Sequence, residues 1–325
     1  MDKLIKNTGI NKLIALIVTF VIVQVLISTN IINDYIFSTL VTICINIILA
    51  ASLNLITGFT GQFSLGHAGF MSIGAYTCAI ITLRYSTVWG FVGGLVAGAV
   101  FAAMVGFLVG LPTLRLKGDY LAIATLGMAE IIKILFRNVL DDLTNGAAGL
   151  RGIPQFINWA WLFLFTAGSV LLISNFINSS HGRACISIRE DEIASEAMGV
   201  NSTKYKVTAF VTGAFFAGIA GAIYASYFYY LKPDYFAFKK SIDILVIVVL
   251  GGMGSISGSV IAAILLALIS TYLQAFPELN MVINGALFVI IMIFRPQGIM
   301  GSKELSLSLI KKWTGQFGRK NGGAA

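Results

Sequence analysis

Eight apolar runs are the feature of this sequence that most constrains its fold. They cover about Leu13–Ile32, Tyr35–Ile56, Ser64–Leu83, Trp89–Leu111, Asp119–Phe136, Asn158–Ile177, Val207–Leu231 and Ile242–Phe294. A helix needs about 20 residues to cross the hydrocarbon core of a bilayer. Several pieces are shorter, and the last run is interrupted at Gly251–Gly258 and again at Pro277–Asn280. The pattern predicts an all-α, polytopic helical membrane protein of about eight to ten membrane segments, with broken helices.

Composition excludes the other broad classes of protein. The 325 residues are 57% apolar and 11% charged, whereas soluble domains are about 25% charged. An intrinsically disordered chain would be poor in apolar residues and rich in charge. The three cysteines (Cys44, Cys78 and Cys185) are an odd number and lie in or beside apolar runs, which argues against a disulfide scaffold.

The net charge of +8 is concentrated in three places. Basic residues precede the first apolar run, follow the last one, and recur in the segment from His181 to Lys206. This is the positive-inside pattern of membrane proteins, so we expect both termini and that segment to be cytoplasmic and expect no nucleic-acid partner. We expect residues 1–302 to form a single transmembrane domain, with a cytoplasmic loop at about 181–206 and a basic cytoplasmic tail at 303–325.

Small residues form stripes on two of the predicted helices. They recur every four residues at Gly90, Gly94, Gly98, Ala102, Gly106 and Gly110, and again at Ala209, Gly213, Ala217, Gly221 and Ala225. Residues four apart share one helix face, and small side chains there let two membrane helices pack closely. We therefore expect Gly94, Gly98, Gly106 and Gly110 to pack against another helix; a lining role in a translocation path is the alternative.

Two glycine-rich motifs interrupt apolar runs in the two halves of the chain. The first is Gly58–Phe70, with Gln62, Ser64 and His67; the second is Gly251–Gly258, with Gly254 and Ser255. Irregular backbone at membrane depth survives only where protein or a water-filled cavity surrounds it, and such a pair of broken segments indicates a transport pathway. These five polar or glycine positions are the pathway candidates, with a tightly packed helix bend as the alternative. We predict no metal site, since His67 has no second ligand at metal-binding spacing.

The segment from His181 to Lys206 is densely charged, unlike the rest of the chain. Its spacing predicts one short amphipathic helix over Arg189–Gly199, ended by Gly199. Glu192 and Glu196 share a face of that helix. A helix lying on lipid is one interpretation, but its acidic residues would be repelled by an anionic leaflet, so a protein partner fits better.

Signatures of enzymes are missing from the sequence. It contains no GxxxxGK[ST] phosphate loop, no HExxH and no GxSxG. We therefore predict no catalytic residue and no cofactor, and energy for pumping must come from an ion gradient or a partner ATPase. An ion-coupled secondary transporter needs acidic residues deep in its spans, but Asp119, Glu130, Asp243 and Glu278 lie near predicted span ends. An intramembrane enzyme is a third hypothesis, weakened because the two histidines lie far apart in the sequence.

Five motifs resemble those of permeases of branched-chain amino acid ABC importers. In chain order they are NLITGFTGQFSLGHAGFMSIGAY, LRLKGDYLAIATLG, GRACISIREDEIASEAMGVNSTKYKVTAF, VLGGMGSISGSV and RPQGIMG. Their order and spacing match across about residues 35–301, and LRLKGDY and RPQG favour the LivM-type subunit over the LivH-type subunit. The first 30 residues and the tail after Ser302 carry no such motif.

The resemblance implies a permease subunit of the bacterial inner membrane that forms half of a translocation pathway. It would work with a LivH-type second permease subunit, two cytoplasmic ATPase subunits that bind the ATP, and an external substrate-binding protein. In such permeases a loop resembling Glu192–Gly199 docks on the ATPase, which implies an ATPase-coupling role for Arg189, Glu192, Glu196 and Gly199. Related permeases carry urea or short amides, so both substrate classes stay open.

Overall fold

The computed structural model describes residues 16–116, 118–272, 283, 285, 286, 289, 293, 297–301 and 304. The predicted break at Pro277–Asn280, the N-terminal lysines and the tail from residue 303, apart from Glu304, lie outside these residues. The first half of the described chain holds α1 (Leu16–Ser28), α2 (Asp34–Asn54), α3 (His67–Arg84), α4 (Val88–Thr113) and α5 (Asp119–Ile134).

The second half follows the same helical pattern. It holds α6 (Asp141–Thr144), α7 (Trp159–Asn178), α8 (Ser180–Glu190), α9 (Glu192–Ala197), α10 (Ser202–Phe228), α11 (Phe238–Gly251) and α12 (Ile256–Tyr272). Two short strands, β1 (Leu150–Arg151) and β2 (Tyr230–Leu231), pair antiparallel with Leu150 opposite Leu231. Polar caps set the helix starts: the Asn158 side chain accepts a hydrogen bond from the Trp161 amide at the start of α7, as an N-cap does.

Four helical stretches are long and apolar enough to cross a membrane: Asp34–Phe59, Val88–Thr113, Trp159–Asn178 and Ser202–Phe228. α1 and α12 are shorter apolar helices, and α5 and α11 have 16 and 14 residues. The fold is therefore helical with both full-length and interrupted membrane segments, as the apolar runs predict. One boundary differs clearly: α10 was expected from Val207 but begins at Ser202, because the Asn201 side chain caps it by accepting from the Lys204 amide at 2.9 Å.

The tightest part of the core is the contact of α3, α4 and α10. A Cβ atom added at Gly98 of α4 would lie 2.7 Å from the Gly74 carbonyl oxygen of α3, and one at Gly74 would collide with the Gly218 backbone of α10. Three backbones therefore meet where three glycines allow it, which is how membrane helices pack closely. Gly218 lies one position outside the stripe read from the sequence of α10.

Three more stripe glycines of α4 face the same two helices. A Cβ at Gly94 would lie 3.2 Å from the Cys78 carbonyl oxygen of α3, and one at Gly106 would lie 2.7 Å from the Ala214 Cβ of α10. At Gly110 the neighbour is the Phe210 ring of α10, at 3.2 Å. Gly93, one residue outside the stripe, has nothing within 4 Å of such an atom. The stripe is thus the packed face of α4 and not its open face.

Candidate functional site

The first glycine-rich motif separates α2 from α3. After Asn54 the chain continues as a π-helical turn, Leu55–Phe59, and then runs irregularly until α3 begins at His67. We call Leu55–Gly66 the first break. Its backbone needs glycine at Gly61, which has φ +73°, a region that other residues avoid.

The second glycine-rich motif separates α11 from α12. We call Gly252–Ser255 the second break; its two glycines, Gly252 and Gly254, have φ of +110° and +90°. The end of α11 is covered by the segment after the last apolar run, since the Ile299 amide donates to the Leu250 carbonyl at 2.8 Å. Exposed carbonyls at a helix end require such partners.

The start of α12 is capped from the same segment. The Glu304 carboxylate accepts from the Ile256 amide at 2.6 Å and from the Ser257 hydroxyl at 2.9 Å. A negative charge at a helix N-terminus is stabilising. Ile299 and Glu304 therefore bond to the helices on both sides of the second break.

Asn54 joins the two breaks. Its side-chain amide donates to the Ser255 carbonyl at 2.9 Å and to the Ser259 hydroxyl at 2.8 Å, and its oxygen accepts from the Gly254 amide at 2.8 Å. A Cβ at Gly58 would collide with both Asn54 and the Gly254 amide. The structure thus brings the two motifs of the two halves into contact, through a residue to which the sequence reading gave no role. The sequence does carry a signal for Asn54: it is an amide side chain inside an apolar run, and polar residues inside membrane spans mark functional or packing sites.

The polar candidates of the first break are all buried. The Ser52 hydroxyl lies 2.8 Å from Nε2 of His67, and the Gln62 amide donates to the Lys206 carbonyl at 3.2 Å. Among the described residues, six buried polar atoms have no hydrogen-bond partner, and four of them lie in or next to the first break: Oγ1 of Thr57, Oε1 of Gln62, Oγ of Ser64 and Nδ1 of His67. The other two are the Tyr76 hydroxyl on α3 and the Thr166 hydroxyl on α7. Buried polar atoms usually find a protein or water partner, so the first break concentrates most of these exceptions.

The charged segment folds as two helices, not the single predicted helix over Arg189–Gly199. The chain turns at Asp191, whose carboxylate caps α9 by accepting from the Ala194 amide at 3.0 Å. α9 ends in a Schellman motif: the Gly199 amide donates to the Glu196 carbonyl and the Val200 amide to the Ser195 carbonyl. Gly199 has φ +85°, which fits its expected role as the helix stop. We call Ser180–Ala197 the α8–α9 segment.

The charged side chains that were expected to face a partner contact their own chain. Glu192 pairs with Nζ of Lys206 at 2.6 Å, and Glu196 accepts from the Ser202 hydroxyl. Arg189 donates from Nη1 to the Gly58 carbonyl at 2.7 Å and pairs with Glu190. All three contacts fold the α8–α9 segment back onto α10 and the first break.

Apolar side chains are exposed on α9 and at Met198 directly after it, beside the exposed Glu196. Ile193 is 79% exposed and Met198 is 84% exposed, and Ala194 and Ala197 are exposed beside them. Ser195, between them, is buried. Large exposed apolar groups at one site indicate a contact surface.

A cavity of about 270 Å³ lies between the first break and the α8–α9 segment. Its lining residues are Thr60, Gly61, Gln62, Leu114, Leu116, Gly118, Leu121, Ile188, Arg189, Glu190, Asp191, Glu192 and Lys206. The cavity therefore collects Gln62 of the pathway candidates together with Arg189 and Glu192 of the coupling candidates. Among the described residues, no three His, Cys, Asp or Glu side chains lie together where they could hold a metal ion.

Comparison with known proteins identifies the family. A family model described as "Branched-chain amino acid transport system / permease component" matches residues 35–292. The LivM permease protein of Escherichia coli is 38% identical over 299 residues, which cover 82% of this chain and 70% of LivM. The LivH permease protein of Escherichia coli is 26% identical over 291 residues, covering 79% of this chain and 92% of LivH.

Among solved structures, PsaBC from Streptococcus pneumoniae in complex with Fab matches with a TM-score of 0.46 and 14% identity, covering 84% of this chain and 96% of that chain. A score of that size supports no conclusion about this chain. The sequence relatives and the family model agree with each other and with the helical, interrupted spans. The chain belongs to the family of permease components of branched-chain amino acid transport systems.

Proposed function

We propose that this chain is a LivM-type permease subunit of an ATP-driven importer, and that it forms half of the path by which branched-chain or other hydrophobic amino acids cross the inner membrane. The observation that carries the proposal is the junction of the two breaks. Asn54, directly before the first break, makes hydrogen bonds of 2.9 Å and 2.8 Å to Ser255 and Gly254 of the second break and one of 2.8 Å to Ser259 of α12. Paired broken helices at such a junction are where transporters place their pathways.

The unpartnered polar atoms of the first break support a hydrated path. Oε1 of Gln62, Oγ of Ser64 and Nδ1 of His67 are buried without a protein partner among the described residues. Water or a polar solute in a path would supply those partners, whereas a dry helix bend would leave them unsatisfied. Gln62, Ser64, His67, Gly254 and Ser255 are thus proposed as residues at or beside the path.

α9 and Met198 directly after it are proposed as the contact with the ATPase. Their large exposed apolar groups are Ile193 and Met198, while Glu192 and Glu196 are held by Lys206 and Ser202. The carboxylates therefore shape the segment and the apolar side chains make the contact. Gly199 sets the turn at its end. Lipid is a poor partner, because Glu190, Asp191 and Glu192 would face an anionic leaflet.

The partners and energy source follow from the family. A LivH-type subunit would form the other half of the path, an external binding protein would deliver the substrate, and two cytoplasmic ATPase subunits would bind ATP. This chain would then hold no cofactor and catalyse no reaction. We place both termini and the α8–α9 segment on the cytoplasmic side, since basic residues cluster there.

The test is assembly and uptake. The chain is co-expressed with a LivH-type permease, the ATPase subunits and a binding protein, purified by a tag on this chain, and reconstituted in liposomes. We expect stoichiometric ATPase and ATP-dependent uptake of leucine, isoleucine or valine. Uptake of urea or short amides in place of these amino acids would show that the proposed substrate class is wrong. Uptake driven by a proton or sodium gradient without the ATPase would overturn the proposal.

Orientation is tested by labelling a single cysteine at Ala194, which is exposed. The native cysteines, Cys44, Cys78 and Cys185, are buried, and burial raises the pKa of the Cys185 thiol in the same segment, so their background should be low. We expect an impermeant maleimide to label Ala194→Cys only from the cytoplasmic side. Labelling from the periplasmic side alone would reverse the proposed topology.

A further inference from the structure

Arg189 connects the α8–α9 segment to both breaks. It is the penultimate residue of α8, one turn before the exposed face of α9. Its guanidinium points away from that face and donates from Nη1 to the Gly58 carbonyl at 2.7 Å. The acceptor belongs to the π-helical turn of the first break, so a side chain of the charged segment is bonded to the backbone of the pathway motif.

The second break lies against the same guanidinium. A Cβ added at Gly254 would lie 2.9 Å from Nη1 of Arg189 and 3.5 Å from the Gly58 carbonyl oxygen. A Cβ at Gly61 would lie 3.1 Å from Cγ of Arg189. Glycines at these positions leave room for the side chain, so both breaks are shaped around it.

The remaining bonds fix the direction of the guanidinium. Nε and Nη2 of Arg189 both donate to the Glu190 carboxylate, at 3.1 Å and 2.5 Å. Both nitrogens donate to the same oxygen, Oε1 of Glu190, and this charge-assisted contact restrains the guanidinium. The side chain is 28% exposed, so the bond to Gly58 is partly shielded from water.

We propose that Arg189 is a positioning residue that transmits displacement of the α8–α9 segment to the two breaks, and does not itself contact the ATPase. The inference rests on the proposed function and refines it. A push on α9 moves α8, and the guanidinium carries that movement to the Gly58 carbonyl and the neighbouring Gly254. Since Asn54 ties the same two breaks together, they would shift as one unit, a rigid-body form of switching.

The test compares Arg189→Met with the matched control Arg183→Met in the reconstituted transporter. Arg183 lies on the same helix, is exposed, and, among the described residues, bonds locally to the Asn178 carbonyl at 3.1 Å. For Arg189→Met we expect the ATPase to stay bound and amino acid uptake per ATP hydrolysed to fall by about tenfold. A factor of this size corresponds to the loss of one hydrogen bond made by a charged group. Arg189→Lys should recover part of that ratio, and Arg183→Met should keep it.

A second measurement uses the permease chain without an ATPase. Hydrogen–deuterium exchange should rise in residues 55–66 and 252–258 of Arg189→Met and stay unchanged in Arg183→Met. If Arg189→Met does not assemble, Arg189→Gln is measured in its place with the same expectation. The exchange data report directly on the contact between Arg189 and the two breaks, and they do not require transport. Failure of the proposed function would show differently, as absent ATPase binding or absent uptake in the wild type.

Three results would overturn the inference. The first is an unchanged ratio of uptake to hydrolysis in Arg189→Met with unchanged exchange in both breaks. The second is loss of the ATPase from Arg189→Met, which would make Arg189 part of the docking surface. The third is an equal defect in Arg183→Met, which would show a general effect of charge on α8.

Discussion

The core of α3, α4 and α10 and the α8–α9 segment are stabilised in opposite ways. In the core, the helix backbones are in direct contact at glycines such as Gly74 and Gly98. This packing is possible because these residues have no side chain. In the α8–α9 segment, side chains make the structure: Asp191 caps α9, Glu192 pairs with Lys206 and Glu196 bonds Ser202. The large apolar groups of α9 stay exposed.

The difference indicates that the core provides a rigid scaffold, whereas α9 provides a surface that a partner can contact. Lipid offers no hydrophobic drive for helices to associate, so a membrane core needs close backbone packing. A segment in water can use polar caps and ion pairs for its own shape, which leaves its apolar residues available to a partner. Asn54 of α2 and Arg189 of the α8–α9 segment bond to backbone groups of the two breaks. Substitutions should therefore act on folding in the core, on the path at the junction, and on assembly at α9.

The largest effect is expected at Gly98. Gly98→Leu would place a side chain where even a Cβ lies 2.7 Å from the Gly74 carbonyl oxygen, so α3 and α4 must separate. Overpacking costs about 1–3 kcal/mol or more, and we expect the yield of folded protein and its midpoint of thermal unfolding in detergent to fall sharply. The control is Gly93→Leu on the same helix, where nothing lies within 4 Å. Equal stability of both variants would contradict the packing of this face.

The next effect is expected at Asn54. Asn54→Leu removes the donor to Ser255 and Ser259 and the acceptor for the Gly254 amide. Each buried group left without a partner costs about 1–3 kcal/mol, so uptake should be lost and the second break should exchange amide hydrogens faster. Asn54→Asp keeps the acceptor for the Gly254 amide and, protonated as a buried acid must be to avoid an unpaired charge, supplies one of the two donated bonds, so it should lie between Asn54→Leu and the wild type. An Asn54→Leu variant with normal uptake would show that the junction is not needed for transport.

Features of the core were predictable because their causes are local in the sequence. Apolar runs give the spans, and a four-residue repeat places Gly94, Gly98, Gly106 and Gly110 on one face whatever that face meets. The neighbours are not local: Gly218 meets Gly98 although it lies outside the stripe of α10. Periodicity thus gives the face of a helix but not the partner on it.

The site was harder to predict because its bonds span the chain. Asn54 and Ser255 are 201 positions apart, and Arg189 and Gly58 are 131 apart. A charged residue in a charged segment was assigned to a partner surface, yet the Arg189 side chain turns inward. The division of the charged segment at Asp191 has a local signal in the sequence, because aspartate is a common N-cap residue at the start of a helix. The prediction of one amphipathic helix over Arg189–Gly199 did not use that signal.

A moderate effect is expected on the surface of α9. Ile193→Asp puts a charge where a 79% exposed apolar side chain stands, so the isolated permease should keep its thermal stability. If α9 docks on the ATPase through this side chain, burying a carboxylate there should weaken binding by about tenfold or more. Thr203→Asp adds the same charge at an exposed position at the start of α10 and should retain the ATPase in a pull-down. Equal retention by both variants would remove Ile193 from the contact.

The smallest effect is expected at Gly199, where backbone conformation alone constrains the residue. Gly199 has φ +85°, and a Cβ there would meet nothing within 4 Å, so a substitution adds strain without a collision. A non-glycine residue in this region costs about 1 kcal/mol or more, and asparagine tolerates it better than β-branched residues do. We therefore expect a graded series, Gly199→Asn, Gly199→Ala and Gly199→Val, with normal membrane insertion and a stepwise fall in uptake per ATP hydrolysed. The fall follows because strain relaxes by loosening the turn after α9, so a push on α9 moves α10 and α8 less.

A steric cause would instead give losses ordered by side-chain volume, with asparagine worse than alanine. That order, measured as uptake against hydrolysis in liposomes, would show that Gly199 faces a partner surface and not only a turn.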